Sequence, residues 1–139
     1  MIEFCNKTKR ELTFGKEYTK WIKKLIYSEN KDLGDLCFII GTDDELLQVN
    51  RDYLNHDYFT DVITFDYTNG NSVSGDIFIS IDRVTENAII YKVDLDSELK
   101  RVMAHGVLHL LGYGDRTIEE KKIIREKENV AIKMFHVEQ

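Results

Sequence analysis

The chain has 139 residues, no proline, two cysteines and a formal net charge of −6. That length suits one domain over residues 1–139, and a 42% hydrophobic content lets it bury a core, which excludes a disordered chain. The missing proline excludes proline-linker and collagen-like architectures, no apolar run reaches the roughly 18–20 residues of a membrane span, and two cysteines without paired spacing exclude a disulfide scaffold and a thiolate zinc site.

In chain order, Ile2–Cys5 reads as a first strand, and nothing in the segment MIEFCNKTKRELTFG resembles the apolar stretch of a secretory signal. With its unpaired cysteines, a reducing cytoplasm is the expected location. Lys16–Tyr27 predicts an amphipathic helix, because Tyr18, Trp21, Ile22, Leu25 and Ile26 recur at three- and four-residue steps between lysines. Leu36–Ile40 suits a buried strand. Thr42-Asp43-Asp44-Glu45 is a capping box that opens a helix to about Leu54. Val62–Tyr67 and Val73–Ile81 alternate like strands, and Asn69-Gly70, which tolerates positive φ at both positions, predicts a hairpin between them. Asp82 is the expected cap of a helix through Tyr91, and Asp94 or Asp96 that of a helix to about Leu111. A second capping box, Thr117 to Glu120, opens a last helix to about Phe135. The sum is an α+β fold, with helices packed on a small mixed β-sheet.

The charge is segregated. Residues 1–31 hold eight Lys/Arg against four acids, a balance of +4, so the remainder carries −10. The lysines of the first helix, Lys20, Lys23 and Lys24 among them, are the expected landing surface for a polyanion. Lys121, Lys122, Arg125 and Lys127 alternate with Glu119, Glu120, Glu126 and Glu128, which reads as a solvated, pair-laced helix face.

The segment HGVLHLLGYGD, His105 to Asp115, carries the chemistry. His105 and His109 stand four apart on a predicted helix, so both imidazoles share one face and can reach one ion. Gly112 is placed to end that helix, with Gly114 as a second hinge, so that Asp115 can return its carboxylate to the same ion. Two imidazoles and a carboxylate, with a fourth position left open, are a catalytic rather than a structural zinc pattern. His136 competes with Asp115 as third ligand, whereas His56 reads as a surface loop residue. The spacing also matches metzincin proteases, but Gly106 stands where those carry their glutamate base. Glu98 is expected to pair with Arg101 at i,i+3, and Asp61 to support a ligand imidazole.

The same segment resembles the HGxLHLxGYDH signature of the YbeY family of bacterial metal-dependent endoribonucleases. Asn50, Tyr53, Asp57 and Thr60-Asp61-Val62-Ile63-Thr64-Phe65 resemble the family's LNxxYRxxDxxTDVLSF block, and Gly75-Asp76-Ile77-Phe78-Ile79-Ser80 its GDIxIS strand. The resemblance spans residues 46 to 115. It implies a single-strand-specific endoribonuclease of rRNA maturation, acting at the 3′ end of small-subunit rRNA and in ribosome quality control. It further implies one Zn2+ held by His105, His109 and Asp115, and RNA and the ribosome or its small-subunit proteins as partners, with no membrane. Two departures stand out. Asp115 replaces the family's third histidine, which adds a negative charge and predicts a higher pH optimum. Leu54 replaces the family's arginine, which leaves Arg51, one turn earlier, as the candidate cation facing the phosphate. A small zinc peptidase or amidase and a non-catalytic, ribosome-associated metal-binding protein are the alternatives.

Overall fold

The computed structural model describes residues 1–137, with side chains as far as Phe135. The His136 side chain, the rival third ligand, lies outside the described residues. Strands β1 (Ile2–Asn6), β2 (Asp32–Gly41), β3 (Val62–Asp66) and β4 (Ser72–Ser80) form one sheet in the order β1-β2-β4-β3. β1 and β4 each pair parallel with β2, and β3 pairs antiparallel with β4, so the sheet is mixed as expected. The helices are α1 (Lys16–Ser28), α2 (Asp43–Leu54), α3 (Ile81–Tyr91), α4 (Leu95–Leu110) and α5 (Ile118–Val137).

The sheet buries one face throughout and the other only in part. Phe38 and Ile77 face each other across the β2–β4 register, and both are fully buried with Ile79 and Ile40 under α1 and α4. Phe78 alternates to the opposite face, where the ring of Phe65 meets it and where it lines a cavity with Leu46 and Val49 of α2. α5 closes the first face from outside. Its Phe135 meets Tyr18 at a tilt and Trp21 edge-on, and the Trp21 indole donates to the Ala131 carbonyl at 2.6 Å. Lys100, buried in this layer, holds its ammonium 3.8 Å from the Phe135 ring centre and 2.7 Å from Asp96.

Three expected details come out differently. The hairpin turns on Gly70-Asn71, one residue later than expected. Asn69 and Ser72 exchange both backbone hydrogen bonds, and only Gly70 has positive φ, at 60°. A glycine at the first central position of a two-residue loop suits the twist of the flanking strands, so one positive φ suffices. Helix α3 is capped by Ser80 rather than Asp82, because β4 runs into α3 with no intervening loop. The Ser80 hydroxyl accepts from the Arg83 amide at 3.2 Å. Asp82 instead accepts from the Asp43 amide at the start of α2, at 2.8 Å. Both capping boxes form, Thr42 with Glu45 and Thr117 with Glu120, and Asp94 caps α4. β2 begins four residues before the expected strand, its polar start pairing with Ser72 and Val73 ahead of a register shift.

Candidate metal centre

α4 lies against β4 closely enough to require a glycine. A Cβ on Gly106 would stand 2.7 Å from Ile77 Cγ2, so the position that a protease fills with its base has no room for a side chain here. This contact seats the last two turns of α4, and His105 and His109 project from them on one face. Their rings meet edge to face with centroids 4.4 Å apart, and the two Nε2 atoms are 2.9 Å apart.

The end of α4 then reverses. Gly112 takes φ 104°, its amide donates to the His109 carbonyl at 3.0 Å, and the Tyr113 amide donates to the Leu108 carbonyl at 3.0 Å. These paired bonds are a Schellman motif, which glycine alone adopts without a Cβ penalty. The reversal does two things. It places the Tyr113 carbonyl 2.8 Å from His109 Nδ1, and it returns Asp115 so that Oδ2 is 3.3 Å from both Nε2 atoms. Tyr113 anchors the turn to the C-cap of α1, since its hydroxyl donates to Glu29, which also takes Lys127 at 3.1 Å. Gly114, expected as a second hinge, has no positive φ. It makes room instead for the Glu120 carboxylate, which a Cβ would approach to 2.4 Å.

The tautomers follow from the partners. The Tyr113 carbonyl can only accept, so His109 Nδ1 carries the proton. His105 Nδ1 lies 2.6 Å from Oε2 of ionised Glu128, which is likewise an acceptor. In the neutral rings both Nε2 atoms then present lone pairs to each other and to the Asp115 carboxylate. Three electron-rich atoms so close repel unless a cation lies among them. His105, His109 and Asp115, with ligand atoms within 4.8 Å of one another, therefore fit a divalent ion with imidazole and carboxylate donors.

Glu128 is the partner that its sequence pattern concealed. It is buried, at 1% exposure, and ties His105 to Arg101, whose Nη1 donates to Oε1 at 3.2 Å. Burial opposes ionisation of Glu128, but hydrogen bonds from His105 and Arg101 and the Arg101 charge outweigh it and hold the carboxyl below its usual range. Burial likewise opposes the Arg101 charge, and Glu98 and Glu128 reverse this and hold the guanidinium protonated. Glu98 pairs with Arg101 as expected, its two carboxylate oxygens accepting from Nε at 3.0 and 3.1 Å. Glu128 was legible in one respect: it stands on the buried stripe of α5 with Ile124, Ala131 and Phe135, where a charge needs a partner. The expected solvated face of α5 thus loses two members, Glu128 to the interior and Lys127 to Glu29.

The other expected residues fall at different depths. Asp61 lines a cavity of about 380 Å3 with the triad; its partners are Asn87, which donates to its Oδ2 at 3.3 Å, and Arg101, 3.9 Å away, rather than an imidazole hydrogen bond. Burial pushes the Asp61 carboxyl up, against the charge of Arg101. Leu54, His56, Tyr58 and Arg116 line the same cavity, so His56 belongs to the site region. Arg51 does not line it. Its Nε donates to Asp57 at 2.5 Å, and its side chain is half exposed. A second cavity of about 480 Å3 opens on the far side of His105 and Asp115, lined by Lys121, Lys122, Arg125 and Glu128 among others. The lysines of α1 line neither.

The sequence model of the family described as Endoribonuclease YbeY matches residues 3–136. The chain is 46% identical to the endoribonuclease YbeY of Flavobacterium johnsoniae over 139 residues, all of both chains. It is 47% identical to that of Flavobacterium psychrophilum, over all of this chain and 99% of the relative. It is also 47% identical to that of Bacteroides thetaiotaomicron, over 86% of this chain and 87% of the relative. Among solved structures, the solution structure of TM1509 from Thermotoga maritima superposes with a TM-score of 0.69 at 25% identity, covering 99% of this chain and 91% of that one.

Proposed function

Since the chain belongs to the endoribonuclease YbeY family, we propose that it is a zinc-dependent, single-strand-specific endoribonuclease. Its place is in rRNA maturation at the 3′ end of the small-subunit rRNA and in ribosome quality control, in the cytoplasm, with the ribosome or its small-subunit proteins as partners and residues 1–139 acting as one domain. The observation that carries the reading is the convergence of His105 Nε2, His109 Nε2 and Asp115 Oδ2 at one wall of an open cavity.

These three residues would hold the ion, which supplies a Lewis acid that polarises the phosphoryl oxygens and acidifies water. The chain's own groups do the rest. Glu128 and the Tyr113 carbonyl keep each imidazole proton on Nδ1 and so leave both Nε2 lone pairs free to hold that ion beside the Asp115 carboxylate. Asp61 lines the cavity beside them as a candidate catalytic carboxylate, held by Asn87 and Arg101. For Arg51 to meet a phosphate, its pair with Asp57 must open; Arg116 already lines the cavity. The peptidase alternative lacks a base, because the Gly106 position is filled by Ile77.

The test is zinc-loaded protein with single-stranded RNA, duplex RNA and a casein-like peptide, beside His109→Ala and a chelated control. Cleavage of single-stranded RNA alone, lost in both controls, is the expected result. Peptide cleavage, or no cleavage of any substrate by folded zinc-loaded protein, overturns it.

A further inference from the structure

The cavity behind His105 and Asp115 has a charge unlike that of the chain as a whole. Lys121 and Arg125 stand one helical turn apart on α5, and Lys122 lies beside them; all three are exposed and line this cavity. The acids of the same helix are disposed elsewhere. Glu120 is taken by its own capping box, Glu119 and Glu126 are not on the lining, and the charge of Glu128 is engaged by His105 and Arg101. The remaining acid, Asp115, points at the imidazoles. Arg101 is bound to Glu98 and Glu128, and Arg125 approaches Glu128 only to 3.7 Å. Among the described residues neither Lys121 nor Lys122 has an ion pair. A chain of net charge −6 thus presents a cationic concavity that meets the first cavity at His105 and Asp115.

The two cavities differ in chemistry. The first carries an exposed stacked pair, His56 on Tyr58 with centroids 5.2 Å apart. Stacked aromatics suit an unpaired base, and cations suit the backbone. We propose that the cavity under Lys121, Lys122 and Arg125 is a phosphate subsite, which seats the backbone of a single-stranded RNA on the side of the triad away from the His56–Tyr58 stack. This rests on the endoribonuclease reading and adds to it the residues that grip the flanking nucleotide. It also moves the electrostatic contact from α1 to α5, because Lys20, Lys23 and Lys24 line neither cavity.

The test is binding of an end-labelled, ten-nucleotide single-stranded RNA to chelated protein, measured by fluorescence anisotropy from low to high salt. Lys121→Ala/Lys122→Ala is compared with the wild type and with Lys20→Ala/Lys23→Ala on α1. Both pairs are exposed, and unchanged melting and zinc content verify that the fold and the triad persist. The expected result is a Kd about five-fold or more weaker at low salt for the α5 variant. Its salt dependence should flatten by about 0.7 in log–log slope for each phosphate that it no longer neutralises, while the α1 variant stays near wild type. Equal Kd and slope for the α5 variant and wild type overturn the subsite and leave the endoribonuclease reading intact. Weaker binding confined to the α1 variant also overturns it. A wild type that neither binds RNA nor, zinc-loaded, cleaves it overturns that reading and the subsite together.

Discussion

Nδ1 of His105 on α4 lies 2.6 Å from Oε2 of Glu128 on α5, twenty-three residues away in sequence. This contact decides which nitrogen of His105 faces the triad, and Arg101 holds the other oxygen of the same carboxylate. Glu128→Gln keeps the shape, removes the charge and lets an amide donor meet the imidazole in one of its two orientations. Zinc affinity should fall about 10- to 100-fold, as for other partners of metal-binding histidines. Competition with a chromophoric chelator measures it. Unchanged affinity would mean that the carboxylate does not orient the ring.

The triad itself predicts stoichiometry and a pH effect. Elemental analysis should find one zinc per wild-type chain and none retained after dialysis in His105→Ala or His109→Ala. Asp115 puts a negative charge where an imidazole would be neutral, which lowers the pull of the site on a proton-releasing group. The pH–rate profile of the wild type should therefore lie to the alkaline side of Asp115→His. Superimposed profiles would sink that account.

Gly106→Ala places a methyl 2.7 Å from Ile77 Cγ2. α4 must lift from β4, and overpacking of this kind costs about 1–3 kcal/mol. Denaturant unfolding should show the loss. Zinc affinity should fall with it, because both histidines ride on the displaced turns. Ile77→Ala in the same chain makes room for the methyl and should restore part of the affinity, a rescue that a purely local helix effect would not give.

Asp96 links folding to pH. Partial burial raises its carboxyl pKa, but hydrogen bonds from Lys100 and Tyr18 outweigh this and hold it below the usual range. The contribution is thus fully present above the unfolded value of about 3.9 and is lost as pH falls through the lower folded value. Its carboxylate is well exposed, so the amount is modest, below about 1 kcal/mol. Asp96→Asn should melt about 2–4 °C below wild type at pH 7, and the two curves should converge in strong acid. A constant difference across that range would assign the effect to packing.

Much of the fold was legible because the signals are local. The α1 stripe from Tyr18 to Ile26, the capping boxes at Thr42 and Thr117, and the alternation of β4 each depend on neighbours within four residues. The failures share a cause too. Whether Asp82 or Ser80 caps α3 depends on β4 running on without a loop, and whether the turn is centred on Asn69-Gly70 or Gly70-Asn71 depends on strand register. Neither is set by composition at the turn.

At the site, the sequence alone put His105 and His109 on one helix face and offered Asp115 as third ligand, with His136 as its rival. The i,i+4 spacing of His105 and His109 and the positive φ that Gly112 permits are backbone geometry, and they turn the chain back so that Asp115 can meet the imidazoles. Tertiary structure decided everything that depends on a second element. Packing of α5 on α4 brought the Glu128 carboxylate to His105, and packing of α4 on β4 denied Gly106 a side chain. The pairing of Arg51 with Asp57 kept that guanidinium out of the cavity. Burial and pairing of a charge are set by which surfaces meet, and a pattern of residues read along one helix does not carry that information.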